Sequence, residues 1–380
     1  MKKKIILAVA VLIFLAGMFF VVPRIKERIE TRSADNWVKA AMTAKDCAPI
    51  ENKKPYPNSY QGGLIDAHIH IASIHDGPFG KSGDQEERII LGVNKTMADY
   101  VCMMKSGNIK MAFAFFPVWE PIIDESLLIV KETMEKYGEY FVPFIMPPYH
   151  DDRADGSPTV AAKELKKMLQ AYPGMFQGYG EIGLYERGDH GGPKGSLALP
   201  PDSARLLEIY PVVRENNLLV YFHLGEGQQA SFEKILSENP DIHFIWHGDQ
   251  LIPYGENGQN LQHIDEILSR HPNAYYEVDE LYADTWILRP DVSKEKLLAH
   301  FSDYEALLQK DLGTWKHFIE KHPDQVIWGT DRGIGAPWSM DLEVGDAMIR
   351  YSRAFIGRLS PEVQEKYAYK NALRLMESTK

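Results

Sequence analysis

The 380-residue sequence predicts an α/β protein, a (β/α)8 TIM barrel preceded by a single N-terminal transmembrane helix. Three observations predict the barrel. Eight short runs rich in β-branched and aromatic residues recur along the chain, segments with helical spacing of apolar residues lie between them, and four helix-to-strand steps share one proline-containing turn. Strands that alternate with helices pair in parallel through right-handed crossovers, and eight of them can close on themselves. A doubly wound open sheet is the alternative arrangement of the same elements.

The first element is the apolar stretch from Ile5 to Val22, which follows Lys2, Lys3 and Lys4 and precedes Pro23, Arg24, Lys26 and Arg28. Its eighteen residues rise about 27 Å as a helix, near the hydrocarbon thickness of a bilayer. That is longer than a signal-peptide core, and no small-x-small cleavage site follows, so residues 1–23 are expected to be an uncleaved signal anchor in a lipid bilayer. Basic residues flank both sides in similar numbers, so charge alone leaves the orientation open. The short N-terminal tail and the lack of a later apolar span place the large domain outside the cytoplasm. Residues 24–62 read as a short amphipathic helix and a tether with Pro49, Pro55 and Pro57 near its end.

Residues 63–380 carry the regular pattern. The strand-like runs are Leu64 to Ile69, Ile109 to Phe116, Phe141 to Met146, Phe176 to Leu184, Leu218 to Leu224, Ile242 to Trp246, Ala274 to Val278 and Gln325 to Trp328. Helical spacing marks Glu125 to Tyr137, Ala161 to Ala171, Ala204 to Asn216, Ser231 to Ser237 and Leu261 to Ser269. Tyr172-Pro173-Gly174, Asn239-Pro240-Asp241, His271-Pro272-Asn273 and His322-Pro323-Asp324 each stop a helix just before a strand. One local solution used four times implies one repeated unit. It also assigns His271 and His322 to the face where helices feed into strands, with structural roles. The long stretches between Asp76 and Lys95 and between Asp284 and Trp315 are expected to cap the opposite face.

Composition excludes several classes. With 44% apolar and 25% charged residues the chain buries a large core and is neither disordered nor fibrous. A net charge of −11 opposes a general nucleic-acid surface, which needs clustered Lys and Arg. Cys47 and Cys102 are too few for a disulfide framework or a thiolate metal site, and they read as structural or incidental, with pairing a minor alternative. Homo-oligomerisation stays open.

The candidate chemistry begins at Asp66-Ala67-His68-Ile69-His70, at the end of the first strand. Alternate side chains of a strand share a face, so His68 and His70 can hold one divalent metal. With 13 histidines in 380 residues, chance supplies a His-x-His roughly 0.4 times, so the pair gains weight only from its companions. Glu181, His223, His247 and Asp331 each stand at the end of a later strand-like run. In a barrel those ends converge on one mouth. Asp66, two residues deeper, reads as support for the strand end rather than as a ligand.

On these motifs the chain resembles the amidohydrolase superfamily of metal-dependent barrel hydrolases, within it the amidohydrolase-related (amidohydrolase 2) group. The resemblance runs from about Leu64 to the C-terminus and includes Gly329-Thr330-Asp331 and a closing helix from Leu359-Ser360-Pro361 through Asn371-Ala372-Leu373. It implies metal ligation by His68, His70, His223 and Asp331, with His247 a ligand of a second metal or a group acting on substrate. No Lys stands on the strand-four motif, where some members carry a carboxylated lysine. Glu181 stands there instead, in a Gly-Glu-Ile-Gly-Leu context similar to TatD-type deoxyribonucleases, which leaves one metal or two open. The family also contains non-oxidative decarboxylases, so the resemblance leaves that lyase chemistry as an alternative.

Imidazoles and carboxylates around a dication with one open position lower the pKa of bound water to about 7 and polarise a substrate oxygen. Zinc is the first expectation, with Mn2+, Fe2+ or Ni2+ compatible with the same donors. Asp331 and His247 are the catalytic candidates, the first accepting the proton of water and the second acting on the scissile or leaving group. Arg187, Arg332, Tyr149 and Trp119 are candidates for binding a small-molecule ester, amide, lactone or phosphoester. A nuclease and a catalytically silent ligand-binding barrel are the remaining alternatives.

Overall fold

The computed structural model describes residues 38–39, 41–43, 54–71, 96–118, 123–147, 159–184, 199–225, 227–248, 259–278, 281, 292–333 and 340–379. Strands β1 (Leu64–His70), β2 (Ile109–Pro117), β3 (Phe141–Met146), β4 (Gly178–Gly183), β5 (Leu219–His223), β6 (Phe244–Trp246), β7 (Ala274–Val278) and β8 (Val326–Trp328) form one parallel sheet whose spatial order follows the sequence. A doubly wound sheet would reverse its strand order, and this one does not. The first and last strands meet through a parallel bridge between Ile69 and Arg332, where the amide of His70 donates to the Arg332 carbonyl at 2.8 Å. The chain is a TIM barrel.

The expected helices are present as α2 (Ile123–Tyr137), α3 (Ala162–Ala171), α4 (Ala204–Glu215), α5 (Gln229–Glu238) and α6 (Gln259–Arg270), after an α1 (Met97–Gly107) that the apolar spacing did not mark. A capping box starts α1: the Thr96 hydroxyl accepts from the amide of Asp99 and the Asp99 carboxylate accepts from the amide of Thr96. Cys102 on this helix is disulfide-bonded; Cys47, the other cysteine of the chain, lies outside the described residues. The four proline turns behave as one unit. Tyr172, Asn239, His271 and His322 each donate an amide to the carbonyl four residues earlier, and the φ angles of Tyr172, Asn239 and His322 are −132°, −130° and −115°, the extended values that a following proline enforces.

The stretch between Asp284 and Trp315 was expected to cap the mouth, and over its described part it does not. Residues 292–321 hold α7 (Lys294–His300), α8 (Tyr304–Asp311) and α9 (His317–Lys321), the crossover between β7 and β8. They pack against the barrel wall and against α10 (Leu342–Ile356). Tyr351 of α10 donates to Asp311 at 2.6 Å, and Trp315 stacks on Tyr276 of β7 at 6.2 Å between centroids. Alternation explains the placement, since Tyr276 points out of the barrel while Glu277 points in. The other presumed cap, 76–95, lies outside the described residues.

The closing segment forms α11 (Pro361–Glu365) and α12 (Asn371–Ser378), and buried Asn371 ties it to β8 through the carbonyls of Pro323 and Val326, both at 2.8 Å. Residues 54–62, expected as the end of a tether, dock on α10: Arg353 donates to the carbonyls of Tyr60 and Gly62, and the Tyr60 amide donates back to the Arg353 carbonyl. The predicted anchor at 1–23 lies outside the described residues. Among the described residues no helix is long and apolar enough to cross a membrane.

Inside the barrel, Phe113 and Phe115 of β2, Phe144 of β3 and Tyr221 of β5 form an aromatic floor, with centroids 4.8 to 5.3 Å apart for the Phe115–Phe144, Phe115–Tyr221 and Phe113–Phe144 pairs. Gly178 admits it, because a Cβ there would lie 2.0 Å from the Phe144 ring. His68 lies against this floor, 4.3 Å from the Phe115 ring centroid. The apolar layer keeps water from one side of the site and strengthens every charge interaction above it.

Candidate metal centre

The C-terminal strand ends bring the predicted cluster together. Alternation along β1 turns Asp66, His68 and His70 inward, and all three are fully buried. Glu181 comes from β4, His223 from the end of β5 and His247 from the residue after β6. Asp331 follows β8 in the left-handed backbone region, with φ of 46°, a conformation that Asp tolerates better than most residues.

Four donor atoms crowd one point. His68 Nε2 is 3.0 Å from His70 Nε2, 3.4 Å from Glu181 Oε2 and 3.5 Å from Asp331 Oδ1. His70 Nε2 is 3.3 Å from Glu181 Oε2 and 3.0 Å from Asp331 Oδ1. Ligand atoms about 2.1 Å from a common ion are separated by about 3.0 to 3.4 Å in octahedral or tetrahedral arrangements, so these spacings are those of a coordination shell. Among the described residues Glu181 Oε2 accepts no hydrogen bond although two imidazole nitrogens stand beside it, as expected of an atom grouped to share a cation rather than a proton. The residues fit a divalent metal.

Glu181 faces two ways. Its Oε2 belongs to the His68 and His70 group, while Oε1 contacts His223 Nε2. The His223 ring stacks on His247 at 4.0 Å and 20°, and ligand atoms of Glu181, His223 and His247 lie within 4.8 Å of one another. Asp331 retains 15% side-chain exposure, the most open member of the cluster, and its Oδ2 is 4.0 Å from His247 Nε2. The two candidate catalytic groups therefore flank the same space at the mouth.

The electrostatics favour a cation. Burial opposes the charged form of His68, but Glu277 and Asp331 outweigh it and push the imidazole up to about 10. Burial also opposes ionisation of Glu181, yet His223, His68 and His70 hold it well below the usual carboxylate range. Asp331 is lowered in the same way, burial being overcome by His68 and His70. Asp66 behaves differently: burial lifts it to about 7, against hydrogen bonds from Thr330 and the His68 amide. Asp66 thus latches β1 to the end of β8 and touches none of the converging atoms, the supporting role expected of it.

Arg332 is corrected. Its side chain leaves the mouth, enters the space between α1 and α10, and donates to the carbonyl of Asp341 at 3.2 Å and to Met103 Sδ at 3.7 Å. Arg332 is bridged to Ile69, which faces out of the barrel between the inward His68 and His70, and paired residues of neighbouring strands share a face. Trp119, Tyr149 and Arg187 lie outside the described residues. Glu277 was missed. It is buried on β7, with Oε2 3.2 Å from His68 Nδ1 and 4.0 Å from His247 Nε2. A carboxylate inside the apolar run Ala274 to Val278 was the available signal, because an unpaired charge is not placed in a barrel interior without a partner.

The geometry agrees with the comparisons to known proteins. The amidohydrolase family model matches residues 65–377. No curated protein matches. Among solved structures, a TIM-barrel protein from Bordetella bronchiseptica shares 15% identity over 83% of this chain and 99% of its own, with a TM-score of 0.51, which speaks to the fold. A zinc-bound amidohydrolase from Burkholderia multivorans shares 13% over 83% and 99%, with a TM-score of 0.47, and an amidohydrolase 2 protein from Bifidobacterium longum subsp. infantis shares 11% over 83% and 98%, with a TM-score of 0.44. With a family match spanning nearly the whole barrel, this chain belongs to the amidohydrolase family, a family of metal-dependent hydrolases.

Proposed function

We propose that the protein hydrolyses a small-molecule ester, amide, lactone or phosphoester at the mouth of the barrel. The convergence of His68, His70, Glu181 and Asp331 donor atoms at coordination spacing carries the reading. A divalent metal, zinc first and Mn2+, Fe2+ or Ni2+ next, would supply Lewis acidity and lower the pKa of water to about 7. Asp331 accepts the proton of the attacking water: it is held anionic by His68 and His70 and is the member of the cluster open to solvent. His247, across 4.0 Å from Asp331, orients the scissile group or the leaving atom. The aromatic floor closes the far side to water. Glu181, with one oxygen toward each histidine group, supports a second ion bound with His223 and His247.

The proposal extends to location. Residues 1–23 anchor the chain in a bilayer with the barrel outside the cytoplasm, and the disulfide at Cys102 supports an oxidising compartment. Metal analysis of the purified full-length chain, with turnover measured on a panel of esters, lactones, amides, phosphoesters and aromatic carboxylic acids, is the test. One to two equivalents of transition metal and hydrolytic turnover are expected. Carbon dioxide release from the acids without hydrolysis would replace the reading with a lyase, and absence of metal uptake would remove both.

A further inference from the structure

We propose that Glu277 is a positioning residue of the metal centre: held by Tyr221, it fixes His68 with its proton on Nδ1, so that the Nε2 lone pair faces the ion. The inference rests on the metal-centre reading above. A neutral imidazole carries one proton on one of its two nitrogens, and the partner of the other nitrogen decides which. Glu277 Oε2 stands 3.2 Å from Nδ1, and a carboxylate only accepts, so Nδ1 donates. A cation beside His70, Glu181 and Asp331 displaces the other proton of the His68 imidazolium, the one on Nε2, and leaves that nitrogen's lone pair facing it.

Three further features hold Glu277 in this task. Tyr221 donates its hydroxyl to the same Oε2, and its ring sits on the aromatic floor beside Phe115, so the carboxylate is aimed from a rigid base. Gly329 makes the room. A Cβ at that position would lie 1.6 Å from Glu277 Oε1, so the glycine before Thr330 and Asp331 is needed for the carboxylate to lie beneath the ring. Glu277 itself is fully buried, and Oε1 has no hydrogen-bond partner among the described residues. Burying such a group costs several kcal/mol, an arrangement sustained by what it does for the centre. A ligand role with His68 and His247 is the competing geometry, since those three also lie within 4.8 Å. It would need His68 to give up the proton on Nδ1, and Glu277 Oε2 is nearer to Nδ1 than to His247 Nε2, at 3.2 against 4.0 Å.

The test uses the full-length protein as wild type, Glu277→Gln, Glu277→Ala, Tyr221→Phe and His271→Ala. Zinc affinity is measured by chelator competition, together with zinc stoichiometry, the melting temperature without metal, and ¹⁵N-resolved histidine ring signals. Glu277→Ala should weaken zinc by about 100-fold and Glu277→Gln by about 10-fold, because Gln keeps an accepting oxygen without the charge. Tyr221→Phe, which removes one hydrogen bond, should weaken it by about fivefold. Stoichiometry should match wild type in all of them, and the proton signal on His68 Nδ1 should be lost or exchange-broadened in Glu277→Ala. Should Glu277→Ala not fold, Glu277→Gln and Tyr221→Phe preserve the comparison. Affinities within about twofold of wild type for both folded variants would overturn the inference while leaving the centre intact. A loss of one equivalent in Glu277→Gln would make it a ligand, also overturning positioning. Wild type without zinc binding would overturn the proposed function and this inference together.

Discussion

At the base of the barrel, His271 and His322 each meet one carboxylate near the surface, Glu233 at 3.5 Å and Asp265 at 2.6 Å. At the mouth, His68, His70, His223 and His247 meet Glu181, Glu277 and Asp331 in one buried group. The residue types are the same. What differs is convergence: a base histidine ends a helix and meets one partly exposed carboxylate, whereas at the mouth the histidines and carboxylates share partners that no protein proton can satisfy together. Burial with shared partners, rather than the presence of His and Asp, separates a site from a helix stop.

The largest effect should come from breaking the convergence directly. Removing one of four ligands from a site bound by about 10 to 16 kcal/mol costs roughly 3 kcal/mol, on the order of a hundredfold in affinity. His68→Ala should therefore lose most of its metal on dialysis, His223→Ala should lose the ion held with Glu181 and His247, and His271→Ala should keep its full content. Equal metal content by elemental analysis in all three would erase the distinction between the two faces.

Asp331→Asn sharpens the comparison within the mouth. Asn tolerates the left-handed backbone at φ of 46° and keeps one oxygen for ligation, so the backbone and much of the metal should persist. The proton acceptor is gone, and hydrolysis should fall by about 10² or more. Near-wild-type turnover by a metal-replete Asp331→Asn sample would reduce Asp331 to a ligand.

At the base the corresponding experiment changes stability and leaves chemistry alone. Asn273 is buried and donates through Nδ2 to the carbonyls of Leu236, Asn239 and Ile242 at 3.0 to 3.2 Å. Asn273→Ala leaves those carbonyls without that donor and should destabilise the fold by about 1 to 3 kcal/mol in denaturant unfolding, with metal content unchanged. A loss of metal without a loss of stability would contradict this division of labour.

The same contrast explains what was legible in the sequence. Strand ends that carry a polar residue on an apolar run, as at His223 and His247, announce themselves because period-two alternation and position agree. The proline turns do too, since proline dictates the backbone of the residue before it. Glu277 was hidden because its run looked like strand and nothing more; its meaning needs β1, more than two hundred residues away. Arg332 misled by adjacency, as a neighbour of Asp331 in sequence is its opposite in facing. The length of the stretch between Asp284 and Trp315 points to a mouth cap, but its described part packs on α10 through contacts such as Tyr351 with Asp311, a pairing across the fold that local periodicity does not encode.

The smallest expected effect tests the base ion pair on its own terms. Burial tends to raise Asp265, but hydrogen bonds from Lys321 and His322 outweigh it and lower the carboxyl below its ordinary value. A carboxyl with a depressed folded pKa adds stability above its unfolded pKa, about 3.8, and loses that contribution as pH falls through the lower folded value. Asp265 remains partly exposed, so the contribution is limited to about 0.2 to 1 kcal/mol by solvent screening. Asp265→Asn should thus be slightly less stable than wild type between pH 5 and 7, and the two should converge below about pH 3. High salt should narrow the gap as well, which a buried pair at the mouth would resist. Urea unfolding of both proteins across pH and salt measures it. A gap that persists at low pH would mean that packing, not charge, is what Asp265 supplies, and would remove the screened pair from the comparison.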